Sequence, residues 1–304
     1  MNHYDNAKKE LEKNQARTNT KLEELGKLKL KAWGEGYPRF CEMYSKVKLP
    51  PKSNGDIVLE GNLSLTPEDI SELRTLGIGA KEVMATGATG FAVGMLASFA
   101  AQSGAASMAL FASTGTAITS LSGAAATNAM LAQLGGGALS MGGLGMAGGQ
   151  AVLTGLTAAP LLMVEGILFN VKGSKVLENA KDIEYETNKA IGTMKDIEVE
   201  LKRLSRLSES VQDELQQLYD TYLKLIEQAE KTVKCTTQYV EFTAAEKLNF
   251  QKTCLAIKLI SMLSKQDLLD KAKEGEMNKV LDKETKETIQ KVHQAVGDGK
   301  LLVA

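Results

Sequence analysis

At 304 residues the chain is long enough for about two domains. Its 36 Lys and Arg against 37 Asp and Glu leave a net charge of −1, so no basic surface advertises a nucleic-acid partner. Three cysteines with no C-x-x-C spacing argue against a disulfide framework or a structural zinc site, and small buried thiols are the simpler reading.

Residues 1–36 read as an amphipathic helix. Leu11, Gln15, Thr18, Leu22 and Leu25 step by four and three, and Lys8, Lys9, Glu10, Glu12, Lys13 and Glu23 clothe the other faces. The first ten residues are polar and lack the apolar core of a signal peptide. The expectation is a chain that stays in the cytoplasm or leaves by a route needing no cleaved signal. The cluster Gly34-Glu-Gly-Tyr-Pro38 is expected to end or bend the helix. Phe40, Met43, Tyr44 and Val47 suggest a short helix stopped by Pro50-Pro51, and Ile57-Val-Leu59 a brief extended piece. Thr66-Pro-Glu-Asp marks a helix start: a capping hydroxyl, proline at the first helical position and two acids at the positive end of the dipole.

Then charge disappears. The 82 residues from Val83 to Val164 contain no Asp, Glu, Lys, Arg or His, in a chain that is 24% charged. A soluble surface must be wetted, so this tract either enters a bilayer or is wrapped by protein. A spanning helix needs about 20 residues, which allows two to four passes, and helices satisfy their own backbone groups in lipid. The segments that fit are 83–102, 105–121, 125–147 and 151–171, of which the first and last are the most apolar. Small residues recur at spacing four: Thr86, Gly90, Gly94 and Ser98 in one row, Ala151, Gly155 and Ala159 (beside Pro160) in another, with Gly145 and Gly149 just ahead. Such glycine-zipper rows let helix backbones approach closely. Glu165 ends the charge-free run. It sits either at the interface or, if 151–171 spans, inside the membrane facing a cavity or partner.

From Val176 to Ala229 the positions Val176, Ala180, Ile183, Thr187, Ala190, Met194, Ile197, Leu201, Leu204, Ser208, Val211, Leu215, Leu218, Tyr222, Leu225 and Ala229 alternate steps of four and three without a slip. That predicts a coiled-coil helix about 80 Å long, with Gly192 its weak point. Its partner is the N-terminal helix, a later helix or a second copy. A further helical block is expected over 233–265, with Val240, Ala244, Leu248, Gln251, Leu255, Leu259 and Met262 near one face, and a charged helix over 266–296.

The pattern divides the chain into four parts. Residues 1–66 hold N-terminal amphipathic helices and a loop. Residues 67–171 hold a capped helix and the uncharged region, 172–232 the long heptad helix, and 233–304 C-terminal amphipathic helices. The fold class is all-α: an elongated helical bundle carrying a long apolar Gly/Ala-rich hairpin. No constellation argues for an enzyme, a cofactor or a metal. Gly143-Leu-Gly-Met-Ala-Gly148 fits G-x-G-x-x-G, but no strand precedes it. His3 and His293 lie in charged terminal segments far from any nucleophile.

This order of elements resembles the α-helical pore-forming toxins, in which a helical bundle carries an apolar hairpin. Ala124-Ala-Ala-Thr-Asn-Ala-Met-Leu-Ala-Gln-Leu-Gly-Gly-Gly137 is similar to small-residue tracts of bacterial membrane-acting toxins and anti-phage effectors. The resemblance implies a membrane-permeabilising effector that shields its apolar hairpin and then inserts it, as a homo-oligomer or with helical partner proteins, the lipid bilayer being the target. Two alternatives stand beside it. One is a constitutive inner-membrane scaffold or channel subunit with cytoplasmic helical domains, for which Lys81, Lys172, Lys175 and Lys181 set both ends of the tract on the cytoplasmic side. The other is an exported secretion-system translocator.

Overall fold

A computed structural model describes residues 2–50, 57–58, 64–85, 95–101, 178–270 and 279–297. Of these, 88% are helical, so the strands are incidental to the architecture. In chain order the elements are α1 (Asn2–Lys31), a π-helical turn (Ala32–Gly36), α2 (Tyr37–Lys46), β1 (Ile57–Val58), β2 (Ser64–Leu65), α3 (Pro67–Ala85), α4 (Met95–Ala101), α5 (Glu178–Cys235), a 3-10 turn (Tyr239–Glu241), α6 (Ala244–Ser264) and α7 (Asp282–Gly297). β1 and β2 form a two-residue antiparallel pair, Ile57 opposite Leu65.

The frame is α5, whose 58 residues extend about 87 Å at 1.5 Å per residue. Within it, Ala190, Met194, Ile197, Leu201, Leu204, Ser208, Val211, Leu215, Leu218, Tyr222, Leu225 and Ala229 are all buried. The side chain of Ile183 lies outside the described residues. The long helix α1 packs along α5, with α2, α6 and α7 also against it. Polar contacts fix the direction. Asn14 Nδ2 donates to Glu198 Oε1, the Thr18 hydroxyl to the Leu201 carbonyl, Lys21 pairs with Glu209, the Tyr222 hydroxyl donates to the Gly36 carbonyl, and Arg39 meets Glu230. Both numbers rise together, so α1–α2 and α5 run parallel. The last rung is backbone: Lys48 N donates to Thr237 O and Tyr239 N to Lys48 O.

The Gly34–Pro38 cluster interrupts the α-helical pattern without ending the helical path. After α1 stops at Lys31 the backbone passes through a π-helical turn over Ala32–Gly36 and resumes as α2, with Pro38 in its first turn. The glycines also serve close packing. A Cβ on Gly34 would sit 2.5 Å from Met84 Sδ, and one on Gly77 would sit 2.9 Å from Pro38 Cδ, so α3 lies tight against this turn. The helix start at Thr66 is as its residues predict: Asp69 N donates to Thr66 Oγ1 and Thr66 N to Asp69 Oδ2.

The C-terminal third departs from its expected boundaries. The long helix runs on to Cys235, and α6 begins only after a break. Thr243 caps it, its hydroxyl accepting from Glu246 N while the Glu246 carboxylate accepts from Thr243 N. Threonine followed three residues later by glutamate is a capping box, a signal visible in the sequence that periodicity overrode. The face expected over 233–265 is inner only in its second half: Leu255 and Leu259 are buried, whereas Val240 and Leu248 are 64% and 53% exposed, and Phe250, Cys254, Ile257, Ile260 and Leu263 fill the core beside them. The charged helix expected from 266 begins at Asp282, because Leu268 and Leu269 are buried and Leu269 bridges to Val280. Cys41 and Cys254 are buried thiols, whereas Cys235 is exposed.

Among the described residues no helix is long and apolar enough to cross a membrane. Of the first segment expected to span, 83–102, the structure describes the end of α3 and the seven-residue α4. The segments 105–121, 125–147 and 151–171 lie outside the described residues.

Candidate functional site: a cradle for the start of the uncharged tract

The inner row of α1 does not stop at Leu25. Four residues further comes Lys29, with Trp33 one turn beyond. Both are fully buried. A lysine on the inner row must find acceptors, because a buried, unpaired polar group is costly. Lys29 Nζ donates to the carbonyls of Ala100, at the end of α4, and of Gln266, after α6, at 3.0 and 3.1 Å. Burial pulls its pKa down from the usual lysine range to about 7, with the charge of Asp267 pulling the other way.

Helix α4 belongs to the charge-free tract and is held by α1 and by the turn after α6. Gly26 lets its backbone come close: a Cβ there would lie 2.3 Å from the Leu96 carbonyl oxygen. The Phe99 ring meets Trp33 edge-on, centroids 5.1 Å apart and planes at 86°. The Ala101 carbonyl accepts from Leu268 N at 2.7 Å and from Leu269 N at 3.2 Å, which satisfies the open end of α4. Ala97, Phe99, Ala100 and Ala101 are all buried.

Behind the cradle stands a small polar cluster. Trp33 Nε1 donates to Ser264 Oγ at 2.8 Å, and the Tyr37 hydroxyl lies 3.0 Å from the same oxygen. Burial pushes the Tyr37 hydroxyl above the usual phenol range, while the neighbouring Ser264 and Ser261 bonds oppose that. Ion pairs tie α3 to α6 around this core: Lys258 reaches both Asp69 oxygens at 2.7 Å, and Lys265 reaches Glu72. Burial works to raise the Asp69 pKa, but the bonds from Lys258 and Thr66 bring it below the usual value.

Of the residues expected to serve membrane insertion or helix packing, only Ser98 lies on a described element, α4, and its side chain is not described. Thr86, Gly90, Gly94, Gly145, Gly149, Ala151, Gly155, Ala159, Pro160 and Glu165 lie outside the described residues. Met194, Ile197, Leu201, Leu204, Val211, Leu215, Leu218, Tyr222 and Leu225 come together on the inner side of α5. Sequence reasoning missed Lys29, Trp33 and Ser264. The signal for Lys29 was its place four residues after Leu25 on the α1 row.

A cleft of about 690 Å³ opens between α5 and α7, where Arg203, Arg206, Lys286 and His293 stand beside Asp282. Most of that charge is already neighboured: Arg203 pairs with Glu200, Lys286 with Asp282, and His293 lies 3.6 Å from Glu214. Among the described residues no group of three His, Cys, Asp or Glu is placed to hold a metal ion. No protein-family model matches the chain, and neither the curated proteins nor the solved structures hold a match.

Proposed function

We propose that the protein is a membrane-permeabilising helical effector that keeps its charge-free tract against the bundle and releases it into a bilayer, as an oligomer. The observation that carries this reading is the placement of α4. The first described helix of the tract is packed into the core of the bundle, against α1. An effector that must remain soluble before it acts has to hide such a segment, since burying a side chain like Phe99 is worth about 1.5–3 kcal/mol. The long uncharged stretch and its small-residue rows supply the membrane-facing part.

Purified protein added to dye-loaded phosphatidylethanolamine/phosphatidylglycerol vesicles tests it. Release that rises more steeply than linearly with protein concentration is the expected result. Protein recovered only from membranes, with no release when added from outside, would overturn the reading in favour of a constitutive membrane protein.

A further inference from the structure

We propose that Gly26, Lys29 and Trp33 of α1, closed by the Gln266–Leu269 turn, form an internal latch that grips α4 and so restrains the charge-free tract, with Lys29 as its release point. This rests on the membrane-acting reading for its purpose, but the latch itself is a property of the bundle in solution.

Three geometric facts set the latch apart from ordinary core packing. Gly26 allows backbone contact with Leu96 that any side chain would block. The end of α4 is held by donors from two other parts of the chain, Lys29 Nζ and the amides of Leu268 and Leu269. The same Nζ also donates to Gln266 O, so a single side chain joins α1, α4 and the turn after α6. The bonds to the Ala100 and Ala101 carbonyls are lost together when α4 leaves.

The latch is sensitive to protons. The charged and titratable groups on the described elements packed around the latch are these. Helix α4 has none. On α1, Lys31 lies over the Tyr219 ring of α5, at 5.9 Å from its centroid. From α6 and α3 come Lys265 and Glu72, paired with each other, and Tyr37 bonds with Ser264. Asp267 is the charge that acts on Lys29. Closed, Lys29 binds its proton with a pKa of about 7; released into water it returns toward 10.5. The open state therefore holds more protons between these values. Lowering the pH from about 10 raises the opening constant by about tenfold per unit, levelling off below about 7.

Trp33 is the sole tryptophan and reports the state of the latch directly, because Phe99 covers its ring when α4 is seated. The experiment follows acrylamide quenching of Trp33 from pH 9 to pH 6 in the full-length parent, in Lys29→Met and in Gly26→Val. The parent should become more quenchable as the pH falls. Lys29→Met should lose that pH dependence, and Gly26→Val should be quenchable throughout with helical circular dichroism retained. A parent whose quenching ignores pH, or a Lys29→Met variant that keeps the parent's pH profile, overturns the latch. Should Gly26→Val fail to fold, the comparison of parent with Lys29→Met decides alone. Vesicle leakage measured in parallel separates the two ideas: quenching that rises without leakage retains the latch and refutes the permeabilising role.

Discussion

The α1–α5 seam and the cradle around α4 are both buried, yet they are specified differently. The seam is a repeat. Leu11, Leu22 and Leu25 on α1 and Leu201, Leu204, Val211 and Leu215 on α5 are buried where these two helices pack together, and the rim is stitched by partly exposed pairs such as Lys21–Glu209. Each of its residues is one of many alike. The cradle is built from singular side chains, Lys29, Trp33, Tyr37 and Ser264, each bonded to a named partner. A repeat tolerates a change at one rung, whereas a cluster of satisfied polar atoms does not.

The widest gap between the two regions should appear at Trp33. Its ring is fully buried against Phe99 and Tyr37. Trp33→Ala is expected to cost about 3–5 kcal/mol, read as a fall in the urea midpoint. A volume-conserving change in the seam, Leu215→Met, should cost under about 1.5 kcal/mol. Equal losses would erase the distinction.

Ser264→Ala sharpens the point, because it alters volume very little. It strips the acceptor from Trp33 Nε1 and one of two serine partners from the Tyr37 hydroxyl, which keeps Ser261, inside the core. Orphaning the Trp33 N–H should cost about 1–3 kcal/mol. A neutral result would mean that the cradle, like the seam, is held by packing alone.

The same contrast explains what the sequence disclosed. Steps of three and four over more than seven heptads announce α5, and the row on α1 announces its pairing surface, because regular burial leaves a regular pattern. Direction was not legible. Nothing local says that α1–α2 runs parallel to a helix some 190 positions away; contacts such as Asn14–Glu198 and Arg39–Glu230 reveal that. The Gly34–Pro38 cluster was legible only as an interruption, expected to end or bend the helix. The α pattern does give way there to a π-helical turn, but glycine and proline also answer to the close approach of α3, which no local reading shows. Lys29 was legible in part. Its place on the inner row is in the sequence, but its acceptors come from α4 and the turn after α6, brought near only by the fold.

Two glycines carry the comparison to smaller effects. At Gly26 the space for a Cβ is occupied by the Leu96 carbonyl; at Gly192, exposed on α5, nothing lies within 4 Å. Gly192→Ala should therefore stabilise by about 0.5–1 kcal/mol through helix propensity, visible as a raised thermal midpoint. A destabilised Gly192→Ala would show that this part of α5 needs the glycine for a contact beyond the described residues.

The smallest effect concerns the Lys258–Asp69 pair, which ties α3 to α6 at the edge of the cradle. Burial alone would raise the Asp69 pKa, yet the bonds from Lys258 and Thr66 hold it below its usual value of 3.8. The folded state thus binds the proton less readily than the unfolded chain. The pair's contribution is fully present above about pH 4 and is lost as the pH falls through the depressed folded value. Both side chains keep some solvent contact, so screening limits the contribution to roughly half a kcal/mol. Urea unfolding of the parent at pH 5 and pH 3, beside Lys258→Met, isolates it: the variant should lose less stability on acidification than the parent. An identical acid-side loss in both would assign the edge of the cradle to the Thr66 cap and leave the ion pair without a measurable part in holding α3 to α6.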